Sequence, residues 1–260
     1  MATDELLYEV RDGIGRAVLN RPQARNAMTM AMYEGFGEIC AAAPADGSLK
    51  AIVVEGAGGK AFAAGTDLAE FEDLRTNEDA WAYERRIEKV LTAIETCPVP
   101  TIAAIDGACT GGGVVIAVVC DLRVATRSLK FGFPIARTLG NCLSAANLAR
   151  LVTLGGAGLV REMLFTARLL NAEETKAAGF VHELVDDRPA LEARVTALAE
   201  LLATHAPLTL RGTKEALRRL RIEGPDADTR DLVARGYTSR DFREGMAAFL
   251  EKRPPVWRGE

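Results

Sequence analysis

Histidine is nearly missing from this chain: His182 and His205 are the two it has in 260 residues. A histidine-based triad or a Cys/His zinc site has little to be built from. Its five cysteines, Cys40, Cys97, Cys109, Cys120 and Cys142, show no C-x-x-C spacing. Their odd number and apolar neighbours point to reduced, mostly buried thiols and a cytoplasmic setting. Excess positive charge is absent as well. A net charge of −4 gives no electrostatic reason to expect a nucleic acid or an anionic membrane as partner. Local basic spots for phosphate stay open. The longest uninterrupted hydrophobic run, Val114–Cys120, is far below the roughly 18–20 residues that span a bilayer. The start, Met1-Ala2-Thr3-Asp4-Glu5, is acidic and runs straight into strand-like sequence, unlike a signal or transit peptide.

Nucleotide-binding glycine patterns are missing too. Gly56–Lys60 lacks the P-loop spacing, and Gly155-Gly156-Ala157-Gly158 lacks both Rossmann spacing and a clean preceding strand. The latter reads as a turn before a helix.

The composition, 48% hydrophobic and 26% charged, is that of an ordinary globular protein large enough to bury a sizeable core. Leu6–Val10 and Ile14–Leu19 read as strands joined by an Arg11-Asp12-Gly13 turn. Asn26 to Ala43 reads as a helix, with Thr29 a cap for its later turns. Ala51–Glu55, Thr101–Ile105 and Leu122–Ala125 are compact β-type segments, and Glu70 to Glu95 is charged and mostly helical until Pro98 and Pro100. Val114–Cys120, apolar on every side, predicts a buried helix. Helical patterns dominate from Ser144 onward, including Leu159–Thr166, Ala172–Ala178, Ala190–Thr204, Leu208–Ile222 and Asp241–Lys252, with a loop at 224–228. No internal repeat or low-complexity linker is evident.

Two glycine-centred turns stand out. Ala63-Ala64-Gly65-Thr66-Asp67 ends one apolar segment, and Gly111-Gly112-Gly113 opens the buried helix. A helix start carries free N–H groups and partial positive charge, which suit developing negative charge. Two such turns can aim two amides at one carbonyl oxygen. Close helix–strand packing explains the glycines equally well.

Longer stretches resemble the crotonase family, the enoyl-CoA hydratase/isomerase superfamily. They are Asn20-Arg21-Pro22 with Asn26-Ala27-Met28, Ala61 to Leu68, Pro100 to Gly107 leading into Gly111–Gly113, Cys120 to Ala125, Phe165 to Arg168 with Glu173 to Gly179, and Asp241 to Trp257. The resemblance runs in order from about residue 5 to 257. It implies an α/β fold, a spiral of ββα units over residues 1–200, and a C-terminal helical trimerisation region over 201–260. It also implies a homotrimer or a dimer of trimers, and an acyl-CoA substrate with coenzyme A arriving as part of that substrate and no permanently bound cofactor.

Carried over by position, the oxyanion-hole amides fall on Thr66 and Gly112. Ala63, Ala64, Asp67 and Leu68 would line the adenine and pantetheine channel, Arg25 lies near the CoA-phosphate region, and Phe249 and Lys252 lie in the C-terminal helix that contacts CoA in relatives. Some relatives bind RNA through a lysine-rich early helix; Met28–Ala45 here has no lysine or arginine.

The departures concern the acids. Family hydratases use two glutamates, and the corresponding positions hold Val115 and Ile135, or Ala136 if an apparent insertion is placed earlier. None of these moves a proton, so ordinary two-glutamate hydration is contradicted and single-carboxylate isomerisation is weakened. Arg137, Asn141, Cys142 and Ser144 lie where relatives carry alternative catalytic groups, and Leu139-Gly140-Asn141-Cys142 resembles the dehalogenase loop without its aspartate. Cys142 as nucleophile competes with an inert buried thiol. Glu70, Asp73 or Glu84, from the segment that covers the pocket in relatives, is open as a base or as a solvated helix-face charge, and Thr66 and Thr110 as water-orienting groups. The expectation is an acyl-CoA thioester enzyme, lyase or isomerase in type. A non-catalytic CoA-ester binder and a divergent isomerase, lyase or thioesterase stand as alternatives.

Overall fold

The computed structural model describes residues 4–260; the reading of the N-terminus as free of a targeting peptide falls partly on residues 1–3, outside the described residues. Strand β1 (Leu6–Arg11) turns back on β2 (Ile14–Leu19) through Asp12 and Gly13, both at positive φ, the conformation a two-residue hairpin needs. Helix α1 (Met30–Ala41) follows, then β3 (Ala51–Gly56) and β4 (Ala61–Ala63). Helix α2 (Asn77–Glu95) leads to β5 (Thr101–Ile105), β6 (Ala108–Thr110) and α3 (Gly112–Val119). Next come β7 (Leu122–Thr126), β8 (Lys130–Gly132), the one-turn α4 (Ile135–Thr138) and the long α5 (Ala145–Thr166).

Successive strand pairs divide between two sheets. β3, β5 and β7 enter a six-stranded sheet whose first five strands run β1-β2-β3-β5-β7, and the strands that follow each of them, β4, β6 and β8, enter a second sheet. Each pair is followed by helix, so the chain advances as a spiral of ββα turns, parallel within both sheets apart from their edges. β9 (Leu170–Asn171) closes the small sheet antiparallel to β8. α6 (Ala172–Ala177) then carries the chain to β10 (Glu183–Val185), the last strand of the large sheet.

The large sheet is covered on both faces, which is why β3 and β5 read as unbroken apolar runs rather than alternating ones. Ile52 and Val54 face the main core with α1, α2 and α3, while Ala51 and Val53 face α7 (Arg188–Ala203) through Leu191, Val195 and Ala199. Helices α8 (Pro207–Glu223), α9 (Arg230–Thr238) and α10 (Arg240–Glu251) complete the chain. α8 is tied down by charge: buried Arg150 on α5 bonds Glu88 at 2.7 Å and Glu95 at 2.9 Å on α2, and Arg221 on α8 reaches Glu95 at 2.7 Å. Among the described residues no helix is long and apolar enough to cross a membrane.

Several boundaries differ from the sequence reading, each for a local reason. α1 starts at Met30, not Asn26. Asn26 sits at φ 55°, and its buried side chain accepts from the Arg21 amide and donates to the Ala57 and Ala61 carbonyls, a loop-pinning role no helical residue can fill. Thr29 caps the first turn, accepting from the Met32 amide. α2 begins only at Asn77, where Thr76 and Asp79 form a capping box; Glu70 belongs to a separate 3-10 turn, Leu68–Phe71. α5 spans 22 residues and breaks its helical dihedrals at Gly156, the place read as a turn. The two-to-three-residue strands of the small sheet and α9 carry too short a pattern to be read beforehand.

Replacing Arg150 by Met leaves Glu88 without its partner and Glu95 with Arg221 alone. Urea unfolding of Arg150→Met is expected to show a loss of about 3 kcal/mol, and an unchanged midpoint would mean the network carries no structural load.

Candidate functional site

Strand β4 ends in the turn Ala64-Gly65-Thr66, which is strapped to the segment before α1. The Ala64 amide donates to the Arg25 carbonyl at 3.0 Å, the Met28 amide to the Gly65 carbonyl at 2.8 Å and the Asp67 amide to the Met28 carbonyl at 2.9 Å. Strand β6, next to β4 in the sheet, ends in Thr110-Gly111, and the Thr110 hydroxyl donates to the Ala64 carbonyl at 2.9 Å. The two turns therefore end side by side.

The two turns approach main chain to main chain, and it is their backbone conformation that calls for glycine. A Cβ on Gly111 would lie 3.4 Å from Gly65 Cα, and one on Gly65 would lie 4.0 Å from the Gly112 amide nitrogen. Both glycines have positive φ, 52° and 122°. Gly112 is the first residue of α3, so its amide has no acceptor within the helix. The Thr66 amide is likewise unused, because the bridge to Met28 employs the flanking Gly65 carbonyl and Asp67 amide. Among the described residues neither amide donates to another group.

Both turns open on a cleft of about 570 Å³ that is lined by Thr66, Gly112, Val115 and Ile135, and closed on other sides by α2 and the 138–147 segment. Three hydroxyls sit at its base. Tyr33 on α1 meets Thr66 Oγ1 at 2.9 Å, and Tyr83 on α2 approaches the same oxygen at 3.4 Å. Burial drives the Tyr33 phenol well above its ordinary pKa, so it stays neutral. A Cβ on Gly112 would fall 1.8 Å from Tyr33 Oη. Tyr33 thus fills the space beside the glycine and fixes the Thr66 side chain.

The remaining expected site residues divide into those that reach the cleft and those that do not. Ala64, Asp67, Leu68, Asn141 and Cys142 line it along with the residues already named. Asp67 is committed: Arg21 bonds its carboxylate at 2.6 Å, which holds its pKa below the usual range, and it caps the Leu68–Phe71 turn. Cys142 is exposed rather than a buried thiol. Ala63 is wholly buried beneath the turn and packs against Gly113, outside the lining. Arg25 is an exposed rim residue whose carbonyl holds Ala64.

Phe249 and Lys252 do not line the cleft of their own chain. Phe249, 83% exposed, borders a separate apolar groove formed by α8, α9 and α10, and Lys252 caps α10 at φ 54°. Of the carboxylates, Glu70 accepts from the Met30 amide at 2.9 Å and so caps α1, whereas Asp73 is exposed outside the lining. Glu84 does line the cleft, next to Tyr83 and one turn from Ile87. Tyr33, Tyr83 and Phe133 were not legible as site residues, since an aromatic at helical spacing reads equally as core.

The chain belongs to the enoyl-CoA hydratase/isomerase family, whose sequence pattern it matches over residues 9–260. Among curated relatives it is 34% identical over 254 residues to the bovine protein named enoyl-CoA hydratase domain-containing protein 2, mitochondrial, covering 95% of this chain and 85% of that one. It is 31% identical over 260 residues to crotonyl-CoA hydratase of Syntrophomonas wolfei, covering 97% of each. The crystal structure of an enoyl-CoA hydratase/carnithine racemase from Magnetospirillum magneticum superposes with a TM-score of 0.90 at 36% identity, over 100% of this chain and 97% of that one. The protein is accordingly an enzyme of this family.

The Gly112–Tyr33 contact makes a coupling prediction. Gly112→Ala is expected to lose about 2 kcal/mol of stability from overpacking. Tyr33→Phe, which removes the clashing hydroxyl, should recover roughly 1 kcal/mol of that loss in the double variant. Additive losses in urea unfolding would contradict the contact.

Proposed function

We propose that the protein processes an acyl-CoA thioester, holding the thioester oxygen between the Thr66 and Gly112 amides as charge develops on it. The observation that carries this reading is the pair of unused amides from two touching turns at the edge of an open cleft. In a water-poor site each such donor is worth about 2.7–4 kcal/mol to an enolate or tetrahedral oxyanion. Coenzyme A enters as part of the substrate, and the scheme needs no resident cofactor.

The chemistry is not that of a two-glutamate hydratase. Val115 and Ile135, both buried against the cleft, occupy the places where such acids would act, and neither accepts nor donates a proton. The reaction then lies among isomerisation, lyase chemistry and thioester hydrolysis, all of which pass through an oxygen-centred anion. A second reading, a non-catalytic acyl-CoA binder, is favoured by the apolar wall of Val115, Phe133 and Ile135. Asn141 and Cys142 remain candidate polar contacts on the opposite side.

The proposal extends to assembly and setting. We assign residues 1–200 to the spiral core and 201–260 to a helical region that associates as a trimer or a dimer of trimers. Support comes from the exposed Leu217, Val233, Tyr237, Phe249 and Leu250 on α8–α10. Phe249 and Lys252 then serve a CoA group only across an interface between copies. Arg25, at the rim, is the candidate phosphate contact. The free thiols, four of them buried, suit a reducing cytoplasm.

Mass spectrometry of an acyl-CoA panel separates these chemistries. Within it, Gly112→Pro tests the oxyanion site, because proline suits a first helical position but lacks the N–H. Built on Tyr33→Phe to make room, it is expected to lower turnover about a hundred- to a thousand-fold relative to Tyr33→Phe alone. Unchanged turnover would exclude the amide's role.

A gain-of-function variant checks the acid assignment. Val115→Glu with Ile135→Glu is expected to hydrate crotonyl-CoA faster than the parent. No gain would mean the cleft's shape has diverged along with its acids.

A further inference from the structure

We infer that Glu84 is the proton-transferring group of this cleft, taking a proton from the acyl α-carbon while the thioester oxygen rests on the Thr66 and Gly112 amides, and returning it. The inference rests on the oxyanion reading above and supplies the acid–base group that Val115 and Ile135 withhold.

Position argues first. Glu84 lies on α2 between Tyr83 and Ile87, and all three line the cleft. Tyr83 approaches Thr66 Oγ1 at 3.4 Å, so this stretch of α2 abuts the turn that carries one of the two amides. The helix is held in place by its capping box at Thr76 and by buried Ile87, Val90, Leu91 and Ile94. Its cleft-facing side chains are therefore set by the core rather than by solvent.

Availability argues second. Asp67, the other carboxylate on the cleft, is bound to Arg21. Glu84 has no ion-pair partner among the described residues; the Ser144 side chain favours its charged form. Ser144 begins α5 but does not spend its hydroxyl on capping that helix, which leaves it available to the carboxylate. The facing 141–147 segment brings Asn141, Cys142, Leu143 and Asn147 to the cleft, none of them cationic. On its own helix the charge that acts on it is Glu88, which Arg150 grips at 2.7 and 2.8 Å. Half-burial lifts the Glu84 carboxyl above its ordinary range, the Ser144 bond partly offsets that, and Glu88 adds to the rise. A base tuned towards the working pH is the state general acid–base catalysis requires.

The step balances without any co-reactant. The α-carbon–hydrogen bond breaks, its electron pair forms the enolate with charge on the thioester oxygen, and the proton goes to a Glu84 carboxylate oxygen. Return to the α-carbon exchanges the proton with solvent. Return to the γ-carbon of a 3-enoyl thioester yields the 2-enoyl isomer, with no net change in charge or oxidation.

Short-, medium- and long-chain 3-enoyl-CoA thioesters incubated with the protein in deuterated water provide the test, with binding followed in parallel by calorimetry. The parent is expected to introduce deuterium and to isomerise at least one of them. Glu84→Gln should bind that thioester as the parent does but exchange about a hundredfold more slowly or worse, and Glu84→Asp should restore part of the rate. The parent rate should rise with pH as Glu84 ionises, a rise that Glu84→Gln lacks. Ser144→Ala should move that rise to higher pH, because the bond favouring the charged form is gone. Parent-like exchange in Glu84→Gln, or a parent that binds these thioesters without exchanging any, overturns the role of Glu84 and leaves the oxyanion reading standing. A parent that binds no acyl-CoA overturns the oxyanion reading itself.

Discussion

The contact between two turns, Gly65 against Gly111, is what the rest of the site depends on. At that point main chain meets main chain, and both glycines hold positive φ values that a side chain would strain. The amides of the next residues, Thr66 and Gly112, are left at one edge of the cleft because their neighbours supply the hydrogen bonds that hold the turns. The alternation of strands between two sheets makes this approach possible, since it sets β4 beside β6 while their predecessors β3 and β5 pair in the other sheet.

Charge is arranged around that contact with the same economy. Helix α3 presents its start, Gly112, to the cleft, and its far end is met by the buried Arg123. That guanidinium donates to the Ala117 carbonyl at 3.2 Å, the Cys120 carbonyl at 2.5 Å and the Phe180 carbonyl at 2.7 Å. A cation at a helix C-terminus satisfies carbonyls that otherwise lack partners and complements the helix dipole. Arg123 therefore anchors the helix whose other end faces the cleft. Arg150 and Arg221 do comparable work farther out, joining α2, α5 and α8 through Glu88 and Glu95. Because α2 also carries Tyr83 and Glu84, that network fixes a wall of the cleft as well as the C-terminal helices.

The cleft is asymmetric in a way that bears on its chemistry. The α3 and α4 side offers Val115 and Ile135, whereas α2 offers Glu84 and the Tyr83 hydroxyl, which together with that of Tyr33 approaches Thr66 Oγ1. Val115 and Ile135 carry no proton, so on the proposed reading the group that moves one comes from the α2 side.

The sequence by itself determined the parts whose pattern is local. Consecutive β-branched residues marked β3 and β5, Asp12-Gly13 marked the hairpin, and the glycines at 65 and 111–113 marked the turns. The spacing of Val115 from Gly112 is itself enough to set an aliphatic residue on the face of Gly112, because three helical steps return to the same face. Other features depend on partners distant along the chain. Asn26 looked like a helix residue until its three loop contacts held it in a left-handed conformation. Glu70 and Glu84 looked alike as helix-face acids, yet packing gave one to the α1 amides and the other to the cleft. Which carboxylate is free, which tyrosine abuts a glycine and which thiol is exposed are decided by long-range approach of segments, and no neighbouring residue in the sequence encodes that approach.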